Sequence, residues 1–287
     1  MNTGDVMDVQ LAEERMFVLN DKFTMDHAEG RAATKRVDAF GTMAKVAGFL
    51  SKPKENEFEL VYRERRLQPF WRVTCDAVFA YERQREHVLR LAPEVREITL
   101  FGESRLAVSQ QVLLPVMESC REEVQRDVTF DAITGQTAPE LAARLLYETE
   151  VVDDSRLAAI AGEGTVIVPP QASASVVVRQ VLTTLMNKIE ADRVIEENVA
   201  FTSVDLYYRP VYAFRYRRQN KEAVVELDGL TGDVQTGGAT FETYLGKVLD
   251  TRFLLDAGAE AADLLIPGVN LARLVVGKGI EMRKRRP

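Results

Sequence analysis

Side chains that usually carry chemistry are scarce in this chain: of 287 residues, two are cysteine, two histidine and one tryptophan. Cys75, Cys120, His27 and His87 fall at none of the short C-x-x-C or H-x-x-x-H spacings that build a zinc site, so no metal and no cofactor are assigned. Two thiols in a chain of this length fit a reducing compartment, and the protein is read as cytoplasmic. The nucleophile elbow G-x-S-x-G, the phosphate loop G-x-x-x-x-G-K-[ST], the dinucleotide fingerprint and H-E-x-x-H are all missing. Gly277-Lys278-Gly279 lacks the spacing of a phosphate loop, and the acidic pairs Glu122-Glu123, Asp153-Asp154 and Glu196-Glu197 read as solvated charge. Cys75 alternates with Val73 and Ala77 and reads as a small buried hydrophobe, whereas Glu118, Glu122 and Glu123 would suppress a thiolate at Cys120. The expectation is a protein that is not an enzyme.

Long apolar runs are missing too. No stretch of about 18 uninterrupted apolar residues occurs, and the acidic N-terminal segment does not have the pattern of a secretory signal. A net charge of −7 disfavours non-specific attachment to polyanions, so any contact with nucleic acid or anionic lipid has to be a local patch. Hydrophobic residues at 46% against 28% charged describe an ordinary folded chain, long enough for about two domains.

What is present is best organised around Val204 to Val234. Leu206, Tyr208, Tyr212, Phe214 and Tyr216 alternate with Arg209, Arg215 and Arg217, the pattern of a strand with one packed and one wet face. Asn220-Lys221 supplies a turn, Val225 and Leu227 continue the alternation, and Asp228-Gly229-Leu230-Thr231-Gly232 closes the hairpin. This D-x-x-T-G hairpin is similar to the last hairpin of PepSY-type modules over its own length only, and no family assignment follows from it.

Taken in order, residues 1–23 read as a short helix or arm. Val37, Phe40, Ala44, Ala47 and Leu50 form a helical stripe that Pro53 stops, and strands follow over Phe58–Arg65 and Phe70–Tyr81. Gln110 to Gln125 reads as a helix near Pro115, Thr137 with Glu140 as a capping box, and Asp153 as a helix cap. Val178, Val181, Leu182, Leu185, Met186 and Ile189 mark a second strong helix. The order repeats: aligning Pro69 with Pro210 brings Val37 to Val178, Glu55 to Glu196 and Trp71 to Tyr212, and each half carries one D-x-x-T-G.

The expected architecture is therefore α+β, with two related lobes at residues 24–150 and 151–240, each a long helix packed on an antiparallel sheet. A helical appendage at 241–287 follows the Gly237-Gly238 break; its alanine- and glycine-rich run suits self-association. The arginine and aromatic interleaving selects Arg63, Arg65, Arg72, Tyr207, Arg209, Arg215 and Arg217 as interface candidates. Arg283, Lys284, Arg285 and Arg286 join them as a basic tail. The leading expectation is a non-enzymatic binding or assembly module with a protein partner or self-association. Single-stranded nucleic acid or an anionic surface, bound through the Arg/Tyr strands and the basic tail, is the alternative, and an enzyme of unknown class the third. The plainer reading of the interleaving makes the aromatics a core face and the arginines a solvated one.

Overall fold

In the computed structural model, residues 7–40, 57–186, 189–236 and 281–282 are described. Two very long antiparallel strands run side by side through them: β3 (Glu59–Arg90) and β9 (Arg193–Arg218). Each changes its outer neighbour halfway along. The first part of β3 pairs in parallel with β8 (Val166–Ile167), up to Leu67, and from Phe70 onward it pairs antiparallel with β6 (Gln111–Asp131). Similarly β9 pairs in parallel with β1 (Asp8–Gln10) and β2 (Glu14–Leu19) as far as Tyr208, then antiparallel with β10 (Lys221–Asp228) from Val211. Pro69 and Pro210 sit at the two changeovers, which explains how proline survives inside a central strand: its missing N–H falls where one neighbour has ended and the next has not begun. The remaining strands, β7 (Thr149–Val152) against β2, β11 (Val234–Thr236) against β10 and β12 (Glu281–Met282) against β1, complete one mixed ten-stranded sheet. A separate pair, β4 (Glu97–Leu100) and β5 (Glu103–Leu106), lies between β3 and β6 in sequence.

The helices are minor partners. They are α1 (Met25–Ala39), a 3-10 helix (Pro139–Leu146), α2 (Asp154–Gly162) and α3 (Ala174–Met186). This overturns the expectation of two lobes, each a long helix on its own antiparallel sheet: the chain is mostly β, and a single sheet runs through both halves. The physical reason is the length of β3, which passes through Pro69 without a break and stays hydrogen-bonded across both halves. Gln111–Asp131 is a strand and not a helix; its glutamates favour a helix in isolation, but the edge of β3 offers a backbone partner to every residue, and Pro115 is tolerated because β6 is an edge strand. The N-terminal segment is likewise two strands, ordered by a partner far along the chain. In α1 the fully buried face is Ala28 and Ala32. The calls on Ala44, Ala47, Leu50 and Glu55, and on residues 241–280 and 283–287, lie outside the described residues.

The two halves repeat the same local geometry. Asp131 Oδ1 accepts the N–H groups of Ile133 and Thr134 at 2.8 Å each, and Asp228 Oδ1 those of Leu230 and Thr231 at 2.9 and 3.2 Å. Gly135 and Gly232 close these turns at φ +73° and +74°, conformations suited to glycine. The N–H of Ala132 bonds the Pro69 carbonyl, and that of Gly229 the Pro210 carbonyl; a Cβ at Gly229 would lie 2.9 Å from Pro210, so the tighter of the two turns requires its glycine.

The helices, however, are exchanged. Trp71 Nε1 donates to the Ala172 carbonyl at the entrance to α3, and Tyr212 Oη donates to the Phe23 carbonyl at the entrance to α1. Thus α1 covers the second hairpin, with Ala28 and Ala32 against Tyr212, Phe214, Tyr216, Val225 and Leu227. In turn α3 covers the first, with Val177, Val178, Val181 and Leu185 against Trp71, Val73, Cys75, Phe79 and Tyr81. Thr24 and Ser173 stand at matching helix starts, their carbonyls accepting from Ala28 and Val177; at that offset Val37 falls on Met186, whereas the proline alignment puts it on Val178.

Candidate functional site

The sheet arginines chosen from the sequence are built into the fold as ion pairs. Arg63 reaches Glu29 at 2.9 Å and Asp26 at 3.5 Å on α1. Arg65 binds Asp21 and donates to Thr165 Oγ1, and Arg72 forms a bidentate pair with Asp127 at 3.0 and 2.7 Å. Arg209 joins Asp228 and the Gln68 side chain, whereas Arg215 and Arg217 share Glu222. Glu222 is held below the ordinary carboxylate range by Arg217 above all. Tyr207 is buried, stacked between Phe17 at 4.7 Å and Phe70 at 5.3 Å between ring centroids. A base cannot stack on it without opening the core, and a phosphate has to displace a carboxylate at each of these arginines. Leu206, Tyr208, Tyr212, Phe214 and Tyr216 are a core face, as in the plainer reading, whereas Tyr207 is buried on the side that reading left to solvent. The basic tail lies outside the described residues.

A cleft of about 300 Å³ opens beside β2, lined by Glu14, Arg15, Trp71, Asp153 and Leu206 among others. Its charges have internal work: Arg15 clamps Asp205 with two bonds of 2.9 Å, and Asp153 caps α2 through the Arg156 N–H. Burial raises the proton affinity of Glu14. Burial also pushes the Cys75 thiol up to about 11, which keeps it protonated and unreactive. Among the described residues no three His, Cys, Asp or Glu side chains are grouped to hold a metal ion, and no helix is long and apolar enough to cross a membrane.

One feature is legible in the sequence only in part: strands around 88–91 and 95–100 with a turn at Gly102-Glu103 can be read from it, but their place in a two-stranded ribbon closed by β6 cannot. The pairing of β9 with β3 ends at Glu82; beyond it the Gln84 N–H and the Arg85 side chain still reach Asp192 and Glu190, but among the described residues the strand pairing of β3 is with β6 alone, from Arg83 opposite Glu118 to Arg90 opposite Gln111. Val88, Leu89, Leu113, Val116 and Met117 are exposed along the ribbon, and Phe101, Leu106 and Val108 at its end. These are eight of the thirteen exposed large hydrophobic residues among the described ones, and they fall within a segment of only 30 residues, 88–117. A lone exposed leucine is ordinary; a concentration of this kind is not. Phe101 is fully exposed at φ +52°, followed by Gly102 at +87°. Two consecutive left-handed residues define a type I′ hairpin turn, where asparagine or glycine is the unstrained choice and a phenylalanine is costly.

The two faces of the ribbon differ in how their charges are held. On one face Glu118 takes Arg83 at 2.7 Å and His87 at 2.6 Å, and both hold its carboxyl below the usual range, Arg83 the more strongly. The other face carries Glu86, Val88 and Arg90 on β3, opposite Pro115, Leu113 and Gln111 on β6. Glu86 and Arg90 form no ion pair among the described residues. The sequence signal was available in the apolar doublets Val88-Leu89, Leu113-Leu114 and Val116-Met117, but a helix assignment over 110–125 hid their strand pairing. No protein-family model, no curated protein and no solved structure matches the chain.

Proposed function

We propose that the protein is a non-enzymatic binding or assembly module of the cytoplasm, and that its docking element is the ribbon of β3 and β6 with the β4–β5 hairpin at its end. The observation that carries this reading is the concentration of exposed apolar side chains between Val88 and Met117, on two strands that no third strand covers among the described residues. Protein interfaces draw their energy from such desolvated anchors, and an exposed aromatic held in a costly turn is well suited to enter a partner's pocket. The sheet behind the ribbon, cross-braced by its arginine pairs, serves as a rigid mount. The same reading takes the two halves as products of one duplication, supported by the matched turns, prolines and caps, with the ribbon as an elaboration of the first half alone.

The test is affinity capture from native lysate with the natural chain and with Val88→Asp plus Leu113→Asp, read by mass spectrometry with nucleic acid quantified on the same eluates. Both side chains are about half exposed, so the double variant is expected to melt like the natural protein. The expected result is a protein captured by the natural chain and lost by the variant. Equal capture by both, or recovery of nucleic acid alone, overturns the reading.

A further inference from the structure

We infer that the ribbon's occupant is a second copy of the same chain, docked face to face through the Glu86–Val88–Arg90 side. This rests on the reading of the ribbon as the docking element and adds to it the identity of the partner. Residues 86, 88 and 90 alternate along β3 and therefore share one face, with Pro115, Leu113 and Gln111 directly across the ribbon on β6. The centre of that face is the exposed apolar pair Val88 and Leu113, and the two charges lie equally far from it along the strand, one of each sign.

A two-fold axis through the Val88–Leu113 pair, lying in the plane between two stacked ribbons, sets each β3 antiparallel over its copy. Val88 then meets Val88 of the second copy, Glu86 meets Arg90 and Arg90 meets Glu86. Both charges find the opposite charge at once, which is the self-complementarity an isologous dimer requires. Most of the arginines discussed above are already held by a carboxylate inside the chain; Arg90 and Glu86 are left with each other's copy. The whole ribbon supports the same partner, since residues 83–118 hold five arginines and five glutamates in a chain of net charge −7, so the acidic molecule presents a neutral surface to its own copy. The contacting face runs roughly 23 Å along the strands at about 3.3 Å per residue, which places the interface at the small end of specific ones and its dissociation constant at roughly micromolar.

Sedimentation equilibrium over a wide range of protein concentration tests the assignment on the full chain, with E86R, R90E, the double exchange E86R/R90E and V88D. All three sites are exposed, and circular dichroism verifies that each of the four variants is folded. The expected pattern is a monomer–dimer equilibrium that either single charge reversal weakens about tenfold, that V88D abolishes, and that the double exchange restores to within about threefold of the natural chain. A natural chain that is monomeric throughout overturns the inference. So does a dimer indifferent to V88D, or a double exchange as weak as the singles. If the chain is monomeric but the capture experiment still yields a different protein in a ribbon-dependent way, the second copy is wrong and the docking element stands. If V88D changes neither association nor capture, the docking element falls with it.

Discussion

Replacing Asp228 and Asp131 by alanine compares two aspartates with the same backbone duty and different electrical surroundings. Among the described residues the Asp131 side chain only caps its turn: its Oδ1 accepts two N–H groups and its position is only partly buried. Losing those two bonds from a half-wet turn costs about 1 to 2 kcal/mol. Asp228 does the same with Oδ1, while its Oδ2 receives Arg144 at 3.1 Å and Arg209 at 3.0 Å, with side-chain exposures of 7% for the carboxylate and 19% and 24% for the arginines. Removing one member of a fully buried pair costs about 3 to 5 kcal/mol. Here the arginines keep some water and Arg209 keeps Gln68, so roughly 2 to 3 kcal/mol is the appropriate share, for a total of about 3 to 5. Asp228→Asn retains the capping oxygen and loses the charge, and belongs between the two at about 2 to 3 kcal/mol. Urea unfolding at neutral pH, followed by circular dichroism, measures all three. If Asp228→Ala and Asp131→Ala differ by less than about 0.5 kcal/mol, the arginine pair contributes nothing and the electrostatic reasoning applied to the sheet is wrong.

The strained hairpin tip and the buried tyrosines supply two more tests. Phe101→Asn gives the I′ turn its preferred residue and relieves strain on the order of 1 kcal/mol, so amide exchange in β4 and β5 slows while capture of the ribbon's partner falls; faster exchange contradicts the turn assignment. Tyr81 is pushed up to about 12, chiefly by donating its hydroxyl to Glu122, and burial pushes Tyr216 up to about 12 as well. Both start from an ordinary value of 10.0 in the unfolded chain. A raised pKa means that the native state holds the proton more tightly, so this contribution is intact below pH 10 and is lost as the pH rises to about 12. Melting temperature against pH, compared with Tyr81→Phe, shows the decline; a natural chain whose alkaline profile matches that variant contradicts the Tyr81 part.

How much of this was legible follows from where each signal originates. The parity of Leu206 to Tyr216 is a local pattern, and those residues are buried; the face expected to be wet is not, since Asp205, Tyr207, Val211 and Ala213 are buried as well and only Arg217 of its arginines is exposed. Asp153 as a helix cap and the two D-x-x-T-G turns are also local chemistry, and the bonds are present. Pro69 and Pro210, aligned from the sequence, each lie where a central strand changes its outer partner. What failed depends on distant pairing. Gln111–Asp131 is rich in helix formers and becomes a strand through its register with β3. Asp8–Gln10 and Glu14–Leu19 are too short to show a period, and each is fixed by β9. The arginine candidates carry a related ambiguity: arginine beside aromatic is equally the signature of recognition and of a strand with a salt-bridged outer face, and the partners Asp127, Asp228 and Glu222 become visible only in the fold. Arg283 to Arg286 lie outside the described residues and enter neither side of that comparison.

The exchange of helices between the halves also sets a timetable for folding. The bond from Tyr212 that seats the entrance of α1 spans 189 residues of chain, and the corresponding bond from Trp71 spans 101. Contacts of such separation make folding slow, because loop closure precedes any stabilising return. During synthesis at about 5 to 20 residues per second, α1 leaves the ribosome roughly 10 to 40 seconds before the strand that covers its alanine face. Phe23, Ala28 and Ala32 meanwhile remain open to water and to other chains. Neither helix finds its seat within its own half, so the docking of α1 waits until the second hairpin has been made.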